Sequence, residues 1–286
     1  MFDLPDTEKS HGVADWIELE LAGGESSLSK AKVAAIIESS SGAEPKETFL
    51  TDVWRELERR QSRYVQCPFV VSGDLVHRQG DAAASTEYVV CLLFSLYGVS
   101  DVHRSDPKLF ERLTGEAVRN YLGGQMYVFG WPPLPDVPAD IAKRVREVAE
   151  RTRERFVEAP AARYKDRGVD VIAWKPFNES PDGRHRSGQL VMLSQCAAGA
   201  DWPGKTTQLP YGAWTQYIHW AADPVVSFAV PRVIPDDRWH DVSREVEGIV
   251  FDRIRLLNLL PTGVSDAGLR REMEEWTRSE IEQATV

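Results

Sequence analysis

Asp170 lies in Arg167-Gly168-Val169-Asp170-Val171-Ile172-Ala173-Trp174-Lys175, a run of β-branched and apolar residues. A carboxylate in such a run is unfavourable unless it is paired, hydrogen-bonded or coordinating a cation. Twenty-five residues later, Gln195 stands near the end of a second apolar run. The composition predicts strands over 169–174 and 189–196, joined by a turn-rich segment over 178–187. Adjacent strands would bring the Gln195 amide oxygen beside the Asp170 carboxylate. Oxygen donors of this kind, with retained waters, suit Mg²⁺ or Mn²⁺. The competing structural roles are an ion pair of Asp170 with Arg167 or Lys175, and a Gln195 that satisfies backbone groups at a strand edge.

The elements around these strands alternate. A helix is expected over 106–122, capped by Asp106, with Pro107 at its first position, Gly123-Gly124 at its end, and Phe110, Leu113, Ala117 and Tyr121 on its buried stripe. A proline-rich turn over 131–135 leads to a long charged helix over 139–157. A helix including 214–220, a strand over 225–230 stopped by Pro231, and a helical portion from 249 onward complete an α/β core. Upstream, 14–40 read as two helices, 49–63 as a third and 67–76 as a strand or hairpin. Periodicity leaves 86–96 open between helix and strand. The expectation is a mostly helical region over 1–100, recognising a partner or nucleic acid, followed by an α/β domain over 101–286.

Within roughly 107–255 the sequence resembles the PD-(D/E)xK, or restriction-endonuclease-like, nuclease superfamily, and in particular its Mrr-like branch. The residues that carry the resemblance are Phe110-Glu111 on a helix, Gly168-Val169-Asp170 at a strand, and Gln195-Cys196-Ala197 at the end of the next. The resemblance implies a mixed central sheet flanked by helices. It assigns Asp170 as principal metal ligand, Gln195 as second ligand, and Glu111 as a helix-borne ligand or supporting group. The bland alternative for Glu111 is a solvated helix residue beside Arg112. Ala197 stands where the family has lysine, two residues after Gln195 and hence on the same strand face. Lys205 is the expected replacement and Lys175 a poorer one.

The implied activity is Mg²⁺- or Mn²⁺-dependent phosphodiester hydrolysis by an endonuclease, with nucleic acid, DNA favoured, as substrate. The metal would activate water and relieve charge on phosphorus, while the lysine would stabilise the developing charge. A bacterial defence role against foreign DNA follows from the resemblance, with a homodimer or a sensor or ATPase subunit as partner. The alternative is a catalytically inactive, nuclease-like binding subunit.

Charge and composition set limits on these readings. The 286 residues hold 34 basic and 44 acidic side chains, a net charge of −10. An acidic chain ordinarily binds nucleic acid weakly. Yet 143–167 carries nine basic and five acidic residues, a local excess of +4, and forms either a phosphate-facing stripe or a solvated helix face. Arg253 and Arg255 are further candidate phosphate contacts, with a structural Asp252-Arg253 ion pair as the equal alternative. Trp202, Trp214, Tyr217 and Trp220 are expected as core before base-stacking groups. No apolar run is long enough to span a bilayer, and the acidic first ten residues are unlike a secretory signal, so a cytoplasmic location without membrane contact is expected. Cys67, Cys91 and Cys196 have no zinc or disulfide spacing. Gln195-Cys196-Ala197-Ala198-Gly199 is similar to a caspase-type motif, but Cys196 is one position early and the upstream histidine is missing.

Overall fold

The computed structural model describes residues 2–4, 9–80, 84–98, 107–177 and 186–284. In chain order the first elements are α1 (Ser10–Gly23), β1 (Ser27–Ser29), α2 (Lys30–Ser41), α3 (Glu47–Gln61), β2 (Phe69–Ser72), β3 (Leu75–Arg78) and α4 (Thr86–Tyr97). There follow α5 (Pro107–Leu122), β4 (Gln125–Val128), α6 (Ile141–Thr152), β5 (Arg155–Phe156), β6 (Val171–Lys175) and β7 (Leu190–Cys196). After a 3-10 turn at Trp202–Lys205 come α7 (Tyr211–Tyr217), β8 (Ile218–His219), β9 (Val225–Ala229), α8 (Asp236–Val246), β10 (Ile249–Phe251), α9 (Arg253–Asn258) and α10 (Ala267–Ala284). Among the described residues, no helix is long and apolar enough to cross a membrane.

Two compact units emerge. One contains Met1–Ser105, Pro231–Pro235 and Arg253–Val286, and the other Asp106–Val230 and Asp236–Asp252. The segment from Arg253 onward groups with the N-terminal unit. Its side chains explain why. Leu257, Trp276 and Ile281 pack on the cluster built by Val13, Trp16, Ile17, Val53 and Leu57. The Arg253 guanidinium is fully buried between Asp15 and Glu18, 2.8 and 3.1 Å away.

In this first unit the ambiguous 86–96 stretch is helix α4, buried on nearly every face. That suits a helix apolar all round, and the Ser85 hydroxyl accepts from the Tyr88 amide at its start. The 67–76 region forms the β2–β3 hairpin, with β1 on the other side of β3. Arg60, also fully buried, lies 2.5 Å from both Asp15 and Glu18. Burial opposes ionisation of Asp15, but Arg253 and Arg60 outweigh it and hold the carboxyl below its usual range. Arg253 thus has a structural role, which corrects the expected phosphate contact.

The second unit is a mixed α/β fold with a mixed central sheet and flanking helices, as the sequence implies. Its strand order is β10-β9-β7-β6-β4. β6 is antiparallel to both β4 and β7, whereas β7, β9 and β10 are parallel. Alternation divides β6 between two layers. Val171 faces Gly115 of α5, while Ile172 and Trp174 join Tyr127, Phe129, Val191 and Leu193 under α6 and α7. Trp214, Tyr217 and Trp220 are buried in this second cluster, so they are core groups. Residues 249–251 form strand β10, a correction to the helix expected from 249 onward: a Cβ at Gly248 would stand 2.2 Å from the Val226 carbonyl oxygen, so glycine is what lets the chain enter the sheet here. The expected helix over 139–157 ends at Thr152, where Arg153 turns into the left-handed region. Asp106 and most of 178–187 lie outside the described residues.

Candidate active site

The end of β6 is shaped by a local irregularity. The Phe129 and Gly130 amides both donate to the Asp170 carbonyl, at 2.7 and 2.9 Å, so two residues oppose one as in a β-bulge, a device that re-aims neighbouring side chains. Arg144, fully buried on α6, donates to the carbonyls of Phe129 and Lys165. It thereby ties the end of β4 to the segment leading into Asp170. On the other side the Cys196 amide donates to Asp170 Oδ2 at 2.7 Å.

Asp170 Oδ1 is left facing α5. A Cβ on Gly130 would stand 2.8 Å from it and 2.4 Å from Glu111 Oε2, so the two oxygens are no farther apart than the sum of those distances. Only glycine leaves that space open. Glu111 is buried, and its Oε2 accepts from Lys108 Nζ at 2.5 Å, one helical turn earlier. Burial, then the neighbouring Asp170 charge, pushes Glu111 up to about 8 despite Lys108. Burial likewise pushes Asp170 up to about 6, against the Cys196 amide, with Asp166 adding to the repulsion. Such a carboxylate pair with one close ammonium is short of positive charge.

The site residues expected from the sequence meet in part. Glu111 and Asp170 converge. Gln195 is one residue beyond the last pair registered with β6, Val171 with Ser194, and pairs with Phe228 of β9; it is buried with an Oε1 that has no hydrogen-bond partner among the described residues. Strand alternation sets it with Leu193, whereas the Cys196 thiol feels both carboxylates. Lys205 Nζ pairs with Asp201 Oδ2 at 3.2 Å, and its charge reaches Asp170 more weakly than that of Lys108. Lys175 is at the opposite end of β6, roughly 17 Å along the strand, and so supplies no ammonium here. Ala197 is buried and continues the pairing with β9 through Ala229. Arg167 turns away to stack on Tyr164, 3.6 Å from its ring, and to donate to the Tyr217 hydroxyl.

Lys108 is the functional candidate that sequence reasoning missed. Its signal was present as a Lys-x-x-Glu spacing on one helix face, but the motif directs attention to a lysine on β7.

No family model matches the chain, and no curated protein matches it. Among solved structures, restriction endonuclease FokI is similar over 92% of this chain and 47% of its own, with 9% identity and a TM-score of 0.23. FokI bound to DNA is similar over 95% of this chain and 47% of its own, with 8% identity and a TM-score of 0.20. Protein VC1899 from Vibrio cholerae gives 11% identity and a TM-score of 0.17, over 87% of this chain and 80% of its own. This chain spans about half the length of the FokI chains. At these TM-scores none of the three establishes a shared fold.

The donor set fits a divalent ion of the magnesium type. Among the described residues no group of three or more His, Cys, Asp and Glu side chains is arranged to hold a metal. Mg²⁺, however, commonly takes one or two carboxylates and keeps several waters. The space at Gly130, bordered by Glu111 Oε2 and Asp170 Oδ1, is the feature that matches. The thiol of Cys196 is pushed well up by burial and by Asp170, which disfavours the thiolate that a cysteine protease needs.

Proposed function

We propose that the chain is a metal-dependent phosphodiesterase, an endonuclease acting on DNA. The observation that carries this reading is the convergence of Glu111 Oε2 and Asp170 Oδ1 over Gly130, with Lys108 beside them. When bound, a divalent ion supplies Lewis-acid polarisation of a phosphate and relief of its charge. Asp170 and Glu111 would hold the ion, with waters completing its coordination. The Cys196 amide fixes Asp170 so that Oδ1 points to Glu111. The Lys108 ammonium orients Glu111 and would offset negative charge growing on a nearby phosphate oxygen. Lys205 is reassigned to a peripheral influence, because its partner is Asp201.

The Mrr-like resemblance extends the proposal to defence against foreign DNA, with a homodimer or a sensor or ATPase subunit as partner. One feature favours the second reading, an inactive binding subunit: the strand position of the family lysine is a buried alanine. The two readings separate on Lys108.

The test is plasmid DNA and RNA incubated in Mg²⁺, Mn²⁺ or EDTA with wild type, Asp170→Ala, Lys108→Met and Lys205→Ala. Metal-dependent cleavage is expected, lost in Asp170→Ala, lowered about a hundredfold in Lys108→Met, and kept within a few-fold in Lys205→Ala. Magnesium binding to wild type without cleavage under any condition, and unaffected by Asp170→Ala, refutes the assignment.

A further inference from the structure

A second cationic feature lies where the end of α6 meets the separate two-stranded β5–β8 sheet, near the start of β7. A cavity of about 450 Å³ is lined by Arg146 on α6, Arg153, Arg155 and Phe156 beyond it, and His219 on β8. It draws on the basic stretch of an otherwise acidic chain. The acids in its wall differ in state. Glu154 is buried, with Oε1 accepting from the Gly188 amide at 2.8 Å and Oε2 from the Ala221 amide at 3.1 Å, so its oxygens are turned to backbone donors. Glu150 is exposed on the rim.

The arginines are held in place. The Arg146 guanidinium lies 4.1 Å from the centroid of the Phe156 ring, a stacking that fixes the plane and leaves N–H edges directed outward, the geometry suited to phosphate. Arg153 occupies a left-handed backbone conformation, φ 59°, where glycine is the least costly residue. Arg155 and His219 are exposed and face each other across the β5–β8 pair.

We propose that this cavity is a second phosphate site, gripping the backbone of a DNA duplex away from the point of cleavage. The inference rests on the nuclease reading for its substrate. The separation follows from β7: Gly188, which holds Glu154, precedes that strand, and Cys196, which holds Asp170, ends it. Eight residues of extended chain cover about 25 Å, which is roughly seven base pairs of duplex. Between the two ends runs α6, with Lys143 and Arg146 exposed on its outer side. The arrangement makes the duplex a lever held at both ends, so that the weak hold expected of an acidic protein is reinforced at a distance.

The experiment is anisotropy of a fluorescein-labelled 20-base-pair duplex in EDTA, titrated at salt concentrations from 50 to 200 mM, with full-length protein. Arg146→Gln/Arg155→Gln should make the slope of log affinity against log salt shallower by about 1.8, and Arg155→Gln alone by about 0.9. For the double variant that is a loss of affinity across the salt range about 12-fold smaller than in wild type. An unchanged slope in both arginine variants, or no duplex binding by wild type at 50 mM salt, overturns the proposal. If the double variant melts early, the single variant, at an exposed position, decides. Cleavage with an unchanged slope sinks the phosphate site alone. A reduced slope without cleavage by wild type in any metal sinks the nuclease reading and leaves the phosphate site standing.

Discussion

Replacing Glu111 by glutamine should stabilise the metal-free protein at alkaline pH. In the folded chain, burial and Asp170 raise the Glu111 carboxyl from 4.5 to about 8. Below 4.5 both folded and unfolded forms carry the proton. Between 4.5 and about 8 the unfolded chain releases it while the folded chain retains it, so stability falls as pH rises through this window. Above it both forms are ionised and the loss is complete. The full shift corresponds to about 5 kcal/mol at 1.36 kcal/mol per unit. Glu111→Gln avoids that loss but weakens the bond to Lys108, which takes back about 1–2 kcal/mol. A net gain of about 3 kcal/mol over wild type is therefore expected at pH 9, shrinking to nothing or reversing at pH 4. The assay is urea unfolding in EDTA at each pH, followed by tryptophan fluorescence. Magnesium at a hundred times its dissociation constant should return about 2.7 kcal/mol to wild type and much less to the variant. Equal stability of the two proteins at pH 9 in EDTA, or a wild type whose stability is flat from pH 5 to 8, would refute the crowded-carboxylate reasoning.

Two further substitutions probe separate parts of the molecule. Gly130→Ala puts a methyl group 2.4 Å from Glu111 Oε2 and 2.8 Å from Asp170 Oδ1; it should abolish magnesium binding measured by calorimetry and lower stability by about 1–3 kcal/mol. Arg60→Met leaves Asp15 and Glu18 with Arg253 as their remaining buried guanidinium, and should cost about 3–5 kcal/mol in denaturant unfolding, with plasmid cleavage per folded molecule unchanged.

The sequence was most legible where local and global preferences agree. Strands β6 and β7 showed themselves by runs of β-branched residues, and α5 by its proline start and double-glycine stop. Strand β4 was overlooked because four residues between Gly124 and a proline-rich turn carry little periodic signal, and its partner β6 lies more than forty residues away. Helix α8 was hidden by its polar character: of its eleven residues only Val242 and Val246 are buried. At the site, Asp170 could be singled out because a carboxylate in an apolar strand violates a local rule. Gly130 could not, since its significance is the approach of two side chains from α5 and β6. Lys108 escaped for a related reason, the motif fixing a lysine by strand spacing while the fold delivers one from a helix.

The route of the chain between its units has a consequence for biosynthesis. Arg253 follows Asp15 by 238 residues, and at 5–20 residues per second a ribosome needs roughly 10 to 50 s to make that stretch. Throughout that interval α1 and α3 can assemble with Arg60 but without the second guanidinium, α9 or α10. Domains commonly mature from the N-terminus onward. Here the unit that holds α1 is completed only after the strands of the other unit have been made, and until then it exposes the apolar surface that Leu257, Trp276 and Ile281 will cover, a natural client surface for a chaperone during translation.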